Sequence, residues 1–324
     1  CGVHYLELIS PQANQRLAEG YEQNGLVLAA LPLHSGLCMH TESLNRVTDG
    51  ERFRLREPAE EKWPAGWRTH LDQALGFCGV KRAAVLALPE LMGAPRVVEA
   101  CHDFVRKADS RPPALLIAGS WHTDHGGVFY NRMEVFYCQA GDGLDRVCTH
   151  NKFAQFTVPH DDLIEGCELG SGFTFLVTSV GILALGICRD WFINAQKPGV
   201  RERSQHQLGQ MVPTAVFAPS MTKSAHDIHH GVSDFFKRER SIFVFANACG
   251  PVRSMNGACC GTRRTTRDLR SFIAAPKDWY TIESLCETPI DEVGHVPAVR
   301  AACRNQRTND NTVIASIRLK DRDS

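Results

Sequence analysis

Strand-length apolar runs rich in Val, Ile and Leu recur at residues 26–31, 83–88, 115–118, 181–187, 215–218 and 242–246, and they constrain this chain more than any other feature. Runs so short and continuous read as buried strands. Between them lie amphipathic stretches at helical spacing, best marked at Trp67–Phe77, Arg96–Lys107 and His229–Arg240. Strands and helices alternate, which predicts an α/β layered fold. Two segments break the rhythm. Arg52–Trp67, with its charges and prolines, reads as a long surface insertion, and Thr288–Asn311 reads as a loosely structured tail before a strand-like Val313–Leu319. Neither is a domain linker, and no internal repeat or low-complexity tract is present. The chain has 324 residues, 43% of them hydrophobic, enough for one large core. A single domain over residues 1–324 is expected, with its core at about 24–275 and a divergent tail at 276–324.

Charge narrows the class of partner. Lys+Arg and Asp+Glu both number 36, and no long single-sign run offers a nucleic-acid or membrane patch, so a small neutral substrate is expected. No stretch approaches the ~20 apolar residues that cross a bilayer, and the first 30 residues lack the order of a signal peptide, which predicts a soluble, cytoplasmic protein. The thirteen cysteines are scattered and odd in number, as reduced thiols are. Cys259-Cys260 and His226/His229/His230 do not combine into zinc-ligand spacing, so neither metal nor cofactor is expected. The chain opens on Cys1 without a Met, which reads as an incomplete amino terminus or a segment of something longer.

Chemistry collects in three places. In Ala87-Leu88-Pro89-Glu90-Leu91 an acidic residue follows directly on a buried strand, at the end where α/β proteins place their ligands. Pro89 ends the strand's hydrogen bonding and fixes the direction of Glu90; the other reading of Glu90 is a helix-start carboxylate. In Thr149-His150-Asn151-Lys152-Phe153 a lysine sits between an irregular segment and an apolar position, though lysines are usually solvated. In Ile182-Leu183-Ala184-Leu185-Gly186-Ile187-Cys188-Arg189-Asp190-Trp191-Phe192 an apolar strand runs into a cysteine. A thiol between a strand and a helix start sits where backbone N–H groups favour the thiolate, unless Cys188 is simply a small core residue.

Together, Pro-Glu after a strand, the later lysine and the strand-borne cysteine resemble the pattern of the carbon-nitrogen hydrolase (nitrilase/amidase) superfamily. Gly119 and Asn131 resemble that family's strand pair before the lysine, Ala215–Ser220 the segment after the nucleophile, and Ile242–Gly250 the strand ending in Asn-x-x-Gly. The match covers about residues 83–261. It departs at Lys237-Arg238-Glu239-Arg240, which is out of register, and at Cys259–Arg263, so the chain resembles a divergent member. The resemblance implies a four-layer αββα sandwich and a cofactor-independent hydrolase of a small-molecule amide or nitrile, acting as a homodimer or higher homo-oligomer. It also implies the roles: Cys188 as covalent nucleophile, Glu90 as acid-base partner, and Lys152 with the backbone N–H of Arg189 binding the oxyanion. Glu165 is the second glutamate beside the lysine, with Glu168 as the alternative.

Asp190 reads as a cap of the following helix. Trp121, His122 and His125 read as a solvated loop rather than pocket lining, and Asn247 as a residue that satisfies buried backbone groups. Two other classes of function remain: a nitrilase-like binding or regulatory domain of a larger protein, fused for example to a synthetase, acyltransferase or defence reverse transcriptase, and a thiol protease or transferase with His150 or His230 as base.

Overall fold

A computed structural model describes residues 5–31, 45–49, 51–57, 59–63, 66–107, 111–157, 164–191, 213–221, 241–247, 271–276, 279–284, 291–292, 299–300 and 313–320. In chain order these form β1 (Tyr5–Leu8), α1 (Pro11–Asn24), β2 (Leu26–Ala30), β3 (Asn45–Asp49), β4 (Arg52–Arg56), α2 (Trp67–Val80), β5 (Val85–Ala87) and α3 (Pro95–Val105). There follow β6 (Leu115–His125), β7 (Val128–Gln139), β8 (Gly143–Asn151), β9 (Ile164–Glu165), β10 (Thr174–Thr178), β11 (Gly181–Leu185) and a 3-10 turn at Cys188–Trp191. The last strands are β12 (Ala215–Ser220), β13 (Ile242–Asn247), β14 (Phe272–Ala274), β15 (Tyr280–Ser284), β16 (Asp291–Glu292), β17 (Val299–Arg300) and β18 (Val313–Leu319).

Two mixed sheets carry the fold. One has the order β1-β10-β11-β12-β13-β14 and the other β15-β18-β2-β5-β6-β7-β8. Alternation along the strands sorts the side chains between faces. On β13 the aliphatic Ile242, Val244 and Ala246 join a core that also takes Leu28, Val85 and Leu115 from the other sheet, so this core lies between the sheets. Phe243 and Phe245 face the opposite way, into an aromatic cluster with Phe175 and Phe272.

The outer face of the seven-stranded sheet is covered by α2 and α3. Each buries one stripe at i, i+3, i+4 and i+7: Leu71, Ala74, Leu75 and Cys78 on α2, and Val97, Ala100, Cys101 and Phe104 on α3. Both stripes and the six apolar runs thus appear where their periodicity places them. The third expected helix, His229–Arg240, lies outside the described residues, and among the described residues no α-helix contributes to the Phe243/Phe245 cluster. No helix among the described residues is long and apolar enough to cross a membrane.

One expectation changes. Arg52–Trp67 is not a plain surface insertion: Arg52–Arg56 pairs with β3 and β9, and Phe53, Leu55 and Trp63 are buried. Its charges mask an alternation in which Phe53 and Leu55 point inward and Arg52 and Arg56 outward. The strand read at Val313–Leu319 is β18, which inserts between β15 and β2 and pairs Val313 with Ala30 and Ile317 with Leu26, while most of Thr288–Asn311 lies outside the described residues.

Candidate active site

Glu90 is held by a loop fastened to β6. The pairing of β6 with β7 shifts register between Ile117 and Ser120. At that irregularity Ser120 Oγ accepts from Leu91 N–H at 3.2 Å and Ser120 O from Gly93 N–H at 3.0 Å. Gly119, with φ +74°, lets the loop approach so closely that a β-carbon there would lie 2.0 Å from Pro89 O. Helix α3 begins only at Pro95, so Glu90 is not its first-turn carboxylate.

Lys152 follows the end of β8, and its backbone is fully used: its N–H donates to Asn131 O and its carbonyl accepts from Gly170 N–H, both at 2.9 Å. The row Cys148, His150, Lys152 continues the face of β8 that looks toward the inter-sheet core. Cys188 opens the 3-10 turn after β11 with φ +45°, a left-handed conformation that costs a side-chain-bearing residue about 1–2 kcal/mol. Asp190 secures this turn. Its Oδ2 accepts from Ile187 N–H (2.8 Å) and bonds His150 Nε2 (3.0 Å), while its Oδ1 accepts from Phe153 N–H (2.9 Å) and Ala154 N–H (2.8 Å). Asp190 therefore ties the Lys152 segment to the Cys188 segment; the helix that it is expected to cap falls outside the described residues. The chain beyond Trp191 lies outside the described residues.

The four side chains meet in one nearly dry cluster, with Glu90, Lys152, Glu165 and Cys188 all buried. Lys152 Nζ donates to Glu90 Oε1 at 2.7 Å and to Glu165 Oε2 at 3.0 Å. The Cys188 thiol lies within the electrostatic reach of both Glu90 and Lys152. Met221 N–H lies against Glu90 Oε2 at 3.2 Å and also against the sulfur. Glu168, the alternative second glutamate, is exposed and outside this cluster; with Arg52, Gln155, Glu165, Cys167, Leu169 and Gly170 it lines a cavity of about 310 Å³. Arg189 follows Cys188 in the turn, its guanidinium 5.9 Å from the Phe156 ring centre.

Electrostatics follow from this packing. Burial alone would lower the Lys152 pKa, but the carboxylates of Glu165 and Glu90 outweigh it and hold the ammonium charged far into alkaline pH. Burial alone would raise the Glu165 pKa, but Lys152 and then His122 outweigh it and lower it to about 2. Cys188 goes the other way from the expected thiolate. Burial and the neighbouring Glu90 charge push its pKa up, against the opposing pull of Lys152 and Met221 N–H, so the resting group is a thiol.

Two residues in the cluster escape sequence reasoning. His122, expected in a solvated loop, is buried in β6; Trp121 is buried too, and only His125 is exposed. Leu55 N–H donates to His122 Nδ1 at 2.9 Å, so the ring proton sits on Nε2 and is given to Glu165 Oε1, also at 2.9 Å. Asn131 donates from Nδ2 to Glu90 Oε1 at 3.2 Å and to Glu165 Oε1 at 2.8 Å. Its Oδ1 is buried without a hydrogen-bond partner among the described residues, at a cost of about 1–3 kcal/mol. His122, Glu165 and Cys167 offer ligand atoms within 4.8 Å of one another, but a metal would need the His122 nitrogen that carries the proton and would face the Lys152 ammonium. These residues do not fit a metal centre as they stand.

No family model and no curated protein matches the chain. Solved structures do. The amidase from Nesterenkonia sp. is similar over 92% of each chain at a TM-score of 0.50 and 11% identity, and a mutant of the amidase of Nesterenkonia AN1, described as from the nitrilase superfamily, over 90% of this chain and 91% of its own at 0.50 and 12%. This chain has the nitrilase-superfamily fold. A nitrilase-superfamily protein of Saccharomyces cerevisiae also matches, with 13% identity over 85% of this chain and 89% of its own, at a TM-score of 0.44.

Proposed function

We propose that this protein is a carbon-nitrogen hydrolase that cleaves an amide or nitrile of a small molecule through a thioester on Cys188. The observation that carries the reading is a buried thiol set beside a carboxylate and the ammonium bonded to it. For an amide, the Cys188 proton passes to Glu90 as the sulfur bonds to the carbonyl carbon. The resulting oxyanion is stabilised by Lys152 and the backbone N–H of Arg189, a kind of donor whose loss typically costs about 2.7–4 kcal/mol of activation energy. Glu90 returns the proton to the departing nitrogen, the C–N bond breaks, and the thioester remains. Glu90 then takes a proton from water, which attacks the thioester, and the proton returns to sulfur as the acid leaves. Glu165 holds Lys152 charged and oriented throughout. An amidase as a neighbour in fold supports the same class of bond, without naming the substrate.

Intact-mass spectrometry after incubation with a panel of amides, nitriles and carbamoyl compounds tests this. An acyl adduct on Cys188, released as turnover proceeds and absent in Cys188→Ala, is expected. Cys188→Ala activity within about tenfold of wild type would overturn the assignment. Absence of adduct and turnover across the panel would favour the binding-domain alternative.

A further inference from the structure

Glu90 and Glu165 share one cation, so the buried cluster holds two carboxylates against a single ammonium. The remaining hydrogen-bond donors decide whether both stay ionised and which way each faces. Asn131 reaches both through one amide nitrogen, and since carboxylates only accept, that end of the amide must be the NH2. The orientation leaves Asn131 Oδ1 buried and unpaired among the described residues. Buried polar atoms are rarely left so, and a fold that tolerates one does so for what the other end of the group achieves. On Glu90, Lys152 and Asn131 occupy Oε1, leaving Oε2, which faces Met221 N–H, for the thiol.

We propose that Asn131 is a positioning residue: its NH2 bridges Glu90 and Glu165, keeps both as carboxylates, and reserves Glu90 Oε2 for the Cys188 proton. This rests on the thiol reading of the site.

The test needs no known substrate. Iodoacetamide alkylates Cys188 when sulfur displaces iodide and the thiol proton passes to Glu90, and peptide mass spectrometry reads the rate at that cysteine as a function of pH. In wild type, Cys188 is expected to react faster than the buried Cys78, Cys101, Cys138 and Cys148. Asn131→Ala should slow it by about tenfold and move the acid limb of the rate profile upward by on the order of one pH unit. Asn131→Asp, nearly isosteric, should move the same limb further by adding a third carboxyl group, and it carries the test if Asn131→Ala does not fold. An unmoved acid limb in the folded variants, whether or not the rate falls, overturns the proposal, since a merely structural role predicts that result. Glu90→Gln separates the two levels. If it suppresses Cys188 alkylation while the Asn131 variants do not move the limb, only the role of Asn131 is wrong. If Cys188 reacts equally well in Glu90→Gln, the thiol–carboxylate reading fails and this inference with it.

Discussion

Asp190 takes hydrogens from three backbone N–H groups and bonds His150, so both of its oxygens are committed. Asp190→Asn must turn an NH2 toward one of the two pairs. Placed at Oδ1 it faces Phe153 and Ala154 N–H; placed at Oδ2 it faces Ile187 N–H, even if His150 changes tautomer. At least one buried donor loses its acceptor either way, which predicts a loss of about 1–3 kcal/mol in urea unfolding together with slower alkylation of Cys188. Unchanged unfolding would show that Asp190 is not the clamp. Residues of this kind are the hardest to read from sequence. Cys188 ends an apolar run that gives way to charged residues and Glu90 follows directly on one, which is visible in the residues themselves, whereas Lys152 stands out only through its place in the order of the family pattern. Asn131 and His122 sit inside long strands, where a polar residue looks like the solvent half of an alternating pattern. Only the fold, by bringing Glu165 and Glu90 to their side chains, distinguishes them.

At the scale of the element, the β6 irregularity decides where Glu90 sits. Gly119 combines a left-handed φ with a β-carbon position that collides with a backbone carbonyl, which no side-chain motion can relieve. Gly119→Ala is therefore expected to destabilise the fold by at least about 1–3 kcal/mol and to displace the Pro89–Glu90 loop from Lys152. Equilibrium unfolding measures the first effect and the Cys188 alkylation rate the second; wild-type values for both would refute the role given to this bulge. The apolar runs of this sheet are legible because strands buried on both faces need no alternation to be recognised. The long β7–β8 hairpin mixes charged and apolar residues at its wet edge and does not announce itself, and neither does the short β10 behind a Ser-Gly turn. Arg52–Trp67 misleads for the same reason: arginines on the outer face of β4 dominate the composition, while the fold is set by Phe53 and Leu55 on the inner one.

For the whole molecule, the described thiols make stability depend on alkaline pH. Cys78, Cys101, Cys138, Cys148, Cys167 and Cys188 are free, and burial first of all raises the pKa of each from its ordinary value of 9.0, to about 12 for Cys78, Cys138, Cys148 and Cys167. A neutral acid with its folded pKa raised stays protonated in the fold while the unfolded chain ionises. Below pH 9 both states hold the proton and the contribution is complete; between 9 and about 12 the unfolded state binds fewer protons, and stability falls as pH rises. Each such thiol adds a slope of up to about 1.4 kcal/mol per pH unit once well above its unfolded pKa. Because the shifts belong to cysteines in both the inter-sheet core and the helix-covered face, the loss is global rather than local to the site. Urea midpoints measured under reductant from pH 8 to 10.5 should fall steadily above pH 9, and Cys78→Ala with Cys101→Ala should flatten the decline even though each truncation weakens packing. Lys152 adds very little to the trend in this window, since its charge persists in the fold and the unfolded lysine also stays largely protonated up to its ordinary value of 10.5. A midpoint constant from pH 8 to 10.5 would mean that these sulfurs are not sealed from water as the packing requires.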